Sequence, residues 1–220
     1  MSKKNSQRKS CKDTFNAFLV ENATYAGLFE FPHIKATSMV PNRLISFSSC
    51  IHCSDYDQWV HFYEDDYLFE RIWRNPSKFI DILKKYNGVI LPDFSLYRDM
   101  PFAMQIYNIY RSRAIGSWLQ ANGIEVIPNI RYGDKRTYRL CCDGIEKHSI
   151  IAVGSHGTMK IIEDRRIFLE GLDVVVKRIE PSYIIIYGTA SDKYFKKYKD
   201  LGINIIQFDS VYATSHKGVV

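Results

Sequence analysis

The chain has 220 residues, of which 46% are hydrophobic and 14% aromatic, and these proportions exclude disorder over its whole length. No apolar run reaches the roughly 18 residues of a membrane span, and residues 1–12 lack the apolar core of a secretory signal, so we expect a cytoplasmic protein that does not contact membranes. The net charge of +6 is uneven, because residues 1–12 hold five basic residues and no acid, whereas the other 208 residues hold 25 basic and 24 acidic ones.

Residues 1–12 are predicted to form a disordered basic arm, followed by a single α/β domain over residues 13–220. A flexible basic arm binds phosphates through charge alone. Nucleic acid is therefore a candidate partner for residues 1–12, and a solubilising tail is the alternative.

In the first half of the domain, the sequence predicts a short helix within 13–27 and a loop over 30–40. An alternation of strands and helices is predicted to begin near residue 41. Strands are predicted over 44–47, 59–63 and 89–91. Between the last two, Asp66 is predicted to cap a helix that restarts at Asn75-Pro76 and runs to residue 86. The third strand stops at Pro92-Asp93.

The second half continues the alternation. A long helix is predicted from Pro101 to Asn122-Gly123, followed by strands over 125–130, 150–153, 183–186 and 203–208. Helices are predicted over 165–179 and 192–201, and a short one over 138–142. Residues 211–220 give no clear pattern.

Several of these strands are continuous apolar runs, as expected for parallel strands covered on both faces. The sequence therefore predicts an α/β protein with a mainly parallel sheet of about seven strands. We favour an incomplete (β/α) barrel, similar to a TIM barrel, because a short helix within 131–147 would restore the missing crossover. An open doubly wound sheet is the alternative.

Both architectures collect ligands at the carboxyl ends of the strands. Asp93 follows an apolar strand, where an unpaired carboxylate is costly, and it could act as a base or bind a sugar or amine. Alternatively, it caps a turn with Ser95. His156 lies between two glycines after another strand and could transfer protons or contact phosphate. Asp93 and His156 are the candidate catalytic residues.

The long helix presents Gln105, Asn108 and Arg111 at intervals of three, hence on one face. Amide and guanidinium groups suit an anionic or multiply hydroxylated ligand, whereas the alternative is a solvated helix face. The predicted ligand-binding set combines this stripe with the strand ends: Asp65, Asp66, Ser95, Asn108, Arg111, Arg113, Asn129, Arg131 and Tyr187.

Metal binding has two candidate positions in the sequence. Asp65 and Asp66 could hold a magnesium ion together with Asp93, although adjacent acids at a helix start more often cap the helix. Cys50 and Cys53 have the spacing of a zinc knuckle or redox pair, but a second well-spaced pair is missing, which favours small buried residues. A divalent metal is thus the one cofactor that the sequence suggests.

The helix over 192–201 is rich in lysine and tyrosine. This composition is compatible with a nucleic-acid contact, and the alternative is the solvated outer face of a βα unit.

Five sequence blocks resemble those of a known family. They are His61-Phe62-Tyr63-Glu64-Asp65-Asp66-Tyr67-x-Phe69-Glu70, Pro92-Asp93-Phe94-Ser95-Leu96-Tyr97 with Asp99-Met100-Pro101, Tyr107-Asn108-x-Tyr110-Arg111-Ser112-Arg113, Gly123-Ile124-x-Val126-Ile127-Pro128, and Asp143-Gly144-Ile145. Over residues 30–210 the chain resembles the bacterial and phage family known as domain of unknown function 4417. The resemblance implies occurrence in prophages and mobile elements and brings no established activity.

Three functions follow as hypotheses. The first is an enzyme or ligand-binding domain for a polar or phosphorylated small molecule, such as a nucleotide, held at the strand ends. The second is a nucleic-acid-associated protein of a mobile element that uses the basic arm. The third is a non-catalytic protein that binds a host partner through an exposed apolar patch.

Overall fold

The computed structural model describes residues 13–210, which form an α/β structure with parallel strands. Its strands are β1 (Tyr25–Ala26), β2 (Phe31–Pro32), β3 (Leu44–Ser46), β4 (Trp59–His61), β5 (Gly88–Ile90), β6 (Val126–Ile127), β7 (Ile150–Gly154), β8 (Tyr183–Tyr187) and β9 (Asn204–Phe208). Its α-helices are α1 (Phe47–Cys50), α2 (Asp66–Arg74), α3 (Ile80–Leu83), α4 (Phe102–Ala121), α5 (Ile162–Ile179) and α6 (Asp192–Lys199). Short 3-10 helices cover Ala17–Val20, Pro76–Phe79 and Leu140–Cys142.

The seven predicted strands are all present and parallel, but they form two sheets. One sheet has the order β3-β4-β5-β6 and the other the order β7-β8-β9. A single bridge between Asn129 and Ala152 links them. There the Ile130 N–H donates to the Ala152 carbonyl at 2.8 Å, and the Ala152 N–H donates to the Pro128 carbonyl at 2.9 Å. The α/β class is confirmed, whereas one continuous sheet or a barrel is not.

The predicted short helices within 13–27 and over 138–142 are present as the 3-10 helices Ala17–Val20 and Leu140–Cys142. Two local predictions were wrong. The predicted loop over 30–40 contributes to a small antiparallel sheet, in which Tyr25 pairs with Pro32, and the turn between its strands uses Gly27 at φ 73°. Asp65, not Asp66, occupies the N-cap position of α2, because the Asp65 backbone is still extended at ψ 137° and Asp66 is the first helical residue.

Burial on both sheet faces explains the continuous apolar strands. Trp59 and Val60 are neighbours on β4, so they point to opposite faces, and both are almost fully buried. Val60 belongs to a cluster that packs under α2 and α4, whereas Trp59 packs with Ile90 and Ile185 on the other face. A third cluster covers β7 and β8 with side chains of α5 and α6. This packing leaves the strand ends as the places where polar groups can gather.

Within residues 13–210, no helix combines the length and the hydrophobicity that crossing a membrane requires.

Candidate functional site

The candidate site lies at the carboxyl ends of β5, β6 and β7. Asp93 follows β5, Asn129 and Arg131 follow β6, and Gly154 is the last residue of β7. Because β5 and β6 are hydrogen-bonded parallel neighbours and Asn129 bridges to β7, the residues after these strands meet at one edge. This is where ligands bind in parallel α/β proteins.

Asp93 is held by side chains from two directions. The Asn129 amide donates to Asp93 Oδ1 at 2.7 Å, and Arg131 Nη1 donates to Asp93 Oδ2 at 3.3 Å. The Tyr63 hydroxyl donates to the Asn129 Oδ1 atom at 2.9 Å. The Tyr63 ring in turn stacks on Tyr187, with 4.7 Å between centroids and 12° between planes. Parallel strand pairing thus brings Asp93, Asn129 and Arg131 into contact at the carboxyl ends of β5 and β6.

Tyr63 and His61 are neutral members of this region. Burial raises the pKa of the Tyr63 hydroxyl well above its ordinary value, and the Asp93 carboxylate adds to the effect. Burial also lowers the pKa of His61 to about 3. The His61 Nδ1 atom accepts a hydrogen bond from the Tyr63 backbone N–H at 3.1 Å, so its proton at neutral pH is on Nε2. Tyr63 therefore acts as a hydrogen-bond donor.

A pocket of about 450 Å³ opens beside this network. Its wall is apolar where Ile130, Tyr132 and Phe168 line it, and its remaining surface carries charged and polar groups. Those groups are Arg98, Asp99, Arg131, His156, Thr158 and Asp164. The two predicted residues Arg131 and His156 therefore share one pocket, and Asp93 pairs with Arg131.

Among the partners within residues 13–210, the two arginines of this pocket are only loosely paired. Arg98 lies 3.6 Å from Asp164 and Arg131 lies 3.3 Å from Asp93, each through a single Nη1 contact. By contrast, Arg111 binds both carboxylate oxygens of Glu70, at 2.8 and 2.9 Å. A guanidinium group has five N–H donors, so both pocket arginines retain donors for a ligand.

The other predicted polar residues form a second network under the loop that follows Asp93. Asp66 accepts hydrogen bonds from the Ser95 hydroxyl at 2.8 Å and from its backbone N–H at 3.1 Å. The Asn108 amide donates to the Ser95 carbonyl at 2.7 Å, and Arg111 donates to the Asn108 Oδ1 atom at 3.0 Å. The Arg111 guanidinium lies 3.8 Å from the Phe94 ring centroid. The structure therefore separates Asn108 and Arg111 from Asp93 and uses them to hold the 93–95 loop.

Arg113 and Asp65 lie outside both networks. Arg113 is 2% exposed and donates to the backbone carbonyls of Asn129 and Cys141, at 3.3 and 2.7 Å. Arg113 thus stabilises the backbone of the segment that contains Asn129. Asp65 is exposed at the start of α2.

The metal hypotheses receive no support from the geometry. Residues 13–210 contain no group of three or more His, Cys, Asp or Glu side chains arranged to hold a metal ion. Asp66 and Asp93 have separate partners. Cys50 is buried, and burial raises the pKa of its thiol to about 12, whereas metal binding needs the thiolate.

The lysine-rich helix α6 is an outer face whose charges are largely paired. Lys196 binds Asp200, Lys197 binds Asp173, and Lys199 binds Asp192. These pairs favour the solvated-face interpretation. The predicted basic arm lies outside the described residues.

Sequence reasoning missed Tyr63, Arg98 and Gly154 as parts of the site. Both residues lie in or next to the family blocks. Tyr63 is part of the first block, and Arg98 directly follows the Pro92–Tyr97 block. Gly154 ends a predicted strand. Its position at a strand end was a signal that could have identified it. The candidate residues were selected for charge and polarity, however, and a glycine side chain has neither.

Comparisons with known proteins agree with the sequence resemblance. Residues 23–209 match a family model described as a domain of unknown function (DUF4417). The chain is 36% identical over 164 residues to the Gene 1 protein of Mycobacterium phage L5, covering 73% of this chain and 71% of that protein. It is 33% identical over 163 residues to the Gene 1 protein of Mycobacterium phage D29, covering 73% of this chain and 60% of that protein. No solved structure gives a significant match. Sequence blocks, family model and phage relatives agree that this chain belongs to the DUF4417 family.

Proposed function

We propose that this protein binds a small anionic ligand, with phosphorylated compounds as the favoured class, in the pocket at the carboxyl ends of β5, β6 and β7. The observation that carries the proposal is the loose, one-contact pairing of Arg98 and Arg131 on the wall of that pocket. Their remaining N–H donors match the acceptor oxygens of a phosphate or carboxylate.

The shape of the pocket supports a small molecule rather than a macromolecule. A volume of about 450 Å³ is within the range of roughly 300–1,000 Å³ typical of ligand sites. An apolar wall beside a few polar groups is also typical of such sites. His156 lines the pocket together with Arg131, and Asp93 pairs with Arg131. We propose that His156 contacts the ligand and that Asp93 orients Arg131 toward it.

The architecture supports this location if the two sheets form successive parts of one barrel-like wall. Ile90 and Ile127 of the first sheet share an apolar cluster with Ile150 and Ile185 of the second. We propose that this cluster is the interior of an incomplete barrel. The pocket would then open at the end of the barrel where (β/α) proteins bind ligands.

Replacing Arg131 tests the proposed function. Arg131→Met should weaken binding of inorganic phosphate and adenosine 5′-monophosphate by about 10- to 100-fold, since a hydrogen bond to a charged group contributes about 1.5–3 kcal/mol. Isothermal titration calorimetry of the full chain measures the affinity, and thermal unfolding reports on the fold.

Arg43→Met provides the matched control. Arg43 forms an exposed pair with Asp55 and does not line the pocket, so its removal should leave both affinities unchanged. The proposal is wrong if neither compound binds the unsubstituted protein, or if the two arginine variants bind equally well.

A further inference from the structure

We infer that Tyr97 is a stacking surface for a nucleobase, so that the ligand of this pocket is a nucleotide. Tyr97 lines the pocket together with Arg98 and Arg131. This inference rests on the proposed function and names the part of the ligand that is not the phosphate.

Tyr97 is the aromatic residue of the pocket that is open to a ligand. It is 57% exposed, whereas Tyr132 and Phe168 of the apolar wall are 9% and 6% exposed. Of the large hydrophobic residues that are exposed within residues 13–210, Tyr97 is the one that lines this pocket. An exposed aromatic ring provides a flat apolar face, and nucleobases stack on such faces in many binding sites.

The backbone that carries Tyr97 is held in place by α4. Gln105 on this helix is fully buried, and its Nε2 atom donates to the carbonyls of Tyr97 and Met100, at 3.1 and 3.0 Å. The Met100 N–H also donates to the Tyr97 carbonyl at 3.1 Å, and Arg136 donates to the Arg98 carbonyl at 3.0 Å. This turn is therefore ordered before a ligand binds, which lowers the entropy cost of stacking on its side chain.

Gly133 lets this turn approach the segment that carries Arg131. A Cβ atom at position 133 would lie 2.5 Å from Gln105 Oε1 and 3.2 Å from the Tyr97 carbonyl oxygen, so a larger residue would force the turn away. Arg131 is two residues earlier, and two residues span at most about 7 Å. Tyr97, Arg131 and Gly133 all line the pocket. One small ligand can therefore contact both the aromatic ring and the guanidinium group.

A nucleotide carries the two groups that these residues recognise. Arg131 donates to its phosphate, and Tyr97 stacks on its base. The pocket volume of about 450 Å³ is within the usual range for small-molecule sites. Every base has a π face, so the ring selects nucleotides as a class and does not select one base. A sugar phosphate satisfies the arginine but leaves the ring uncovered.

The test compares adenosine 5′-monophosphate with ribose 5-phosphate, which has the same sugar and phosphate but lacks the base. Isothermal titration calorimetry of the full chain should give an affinity about 5- to 150-fold higher for adenosine 5′-monophosphate, as expected for one stacked base. Tyr97→Leu should retain the affinity for ribose 5-phosphate and lose this preference, because leucine has no flat aromatic face. Tyr97→Phe keeps the ring and should keep the preference.

Tyr67→Leu provides the matched control. Tyr67 is a 76% exposed tyrosine of α2 and does not line the pocket, so its replacement should leave the preference unchanged. Both tyrosines are exposed, so thermal unfolding of either leucine variant should resemble that of the unsubstituted protein. Retained binding of ribose 5-phosphate shows in addition that the pocket is folded.

The outcomes separate the two proposals. If the unsubstituted protein binds both compounds equally well, or if Tyr97→Leu keeps the preference or no longer binds ribose 5-phosphate, this inference is wrong and the proposed function stands. A lost preference in Tyr97→Phe would also contradict stacking, since the phenylalanine ring has the same flat face. If neither compound binds the unsubstituted protein, the proposed function fails and the inference fails with it.

Discussion

His61 and Tyr63 are two polar residues at the end of β4 that have different roles. His61 is the last residue of β4 and Tyr63 lies two positions later, so both side chains point to the same face. His61 is 3% exposed and has its ring centroid 4.7 Å from that of Tyr187, an environment that favours the uncharged imidazole. Tyr63 reaches farther and contacts Asn129. The buried histidine supports the tyrosine, and the tyrosine orients the amide that holds Asp93.

The buried state of His61 predicts a pH dependence of stability. Burial lowers the pKa of His61 to about 3, while an unfolded histidine has a pKa of about 6.5. Below pH 6.5 the unfolded chain therefore binds a proton that the folded chain does not, so stability falls as the pH drops toward 3. From pH 7 to pH 5 the free energy of unfolding should fall by about 2 kcal/mol from this residue.

Urea unfolding at the two pH values measures the effect in the unsubstituted protein and in His61→Gln. Glutamine keeps an acceptor for the Tyr63 N–H but does not titrate, so the variant should lose about 2 kcal/mol less. An equal loss in both proteins would show that His61 becomes protonated without unfolding.

Helices α2 and α4 are connected by polar contacts that sequence periodicity could not assign. The spacing of Asn108 and Arg111 placed them on one face of a long helix, and that face exists. Periodicity gives the face of a helix but not its neighbour. The neighbour is the 93–95 loop with α2, where Arg111 meets Glu70 and Asn108 meets Ser95.

Breaking the pair between Arg111 and Glu70 should destabilise the fold. The Arg111 side chain is only 10% exposed, so Arg111→Met would remove its charge-assisted bonds and leave Glu70 without this partner. We expect a loss of about 2 kcal/mol in the free energy of unfolding.

Arg74→Met, at an exposed position of α2, should change the stability by less than about 0.5 kcal/mol. The pair itself is tested by a double-mutant cycle that combines Arg111→Met with Glu70→Gln. A coupling energy near zero in this cycle would contradict the assigned role of Arg111.

The two sheets are linked by one bridge and by shared packing. Tyr110 and Ile145 pack against both large apolar clusters. Arg113 on α4 binds the carbonyl of Asn129, which forms the bridge, and the carbonyl of Cys141 in the segment that follows it. These contacts are expected to couple the two halves, as the prediction of a single α/β domain requires.

One cooperative unfolding transition should follow. The three tryptophans, Trp59, Trp73 and Trp118, lie on β4, α2 and α4, so their fluorescence reports on the first sheet and its helices. Far-ultraviolet circular dichroism reports on the whole protein, and the two signals should give the same midpoint in urea. Separate midpoints would divide the chain into two folding units.

The sequence alone determined the α/β class, the positions of the seven parallel strands along the chain, and the long helix. These features follow from local patterns, because apolar runs, caps and glycine stops reflect the geometry of each element, and parallel pairing aligns the strand ends.

Only the tertiary structure decided that the strands divide into two sheets, that Asn108 and Arg111 hold a loop, and that Arg98 joins the pocket. These features depend on distances between residues far apart in the chain, and such distances leave no pattern in composition or periodicity.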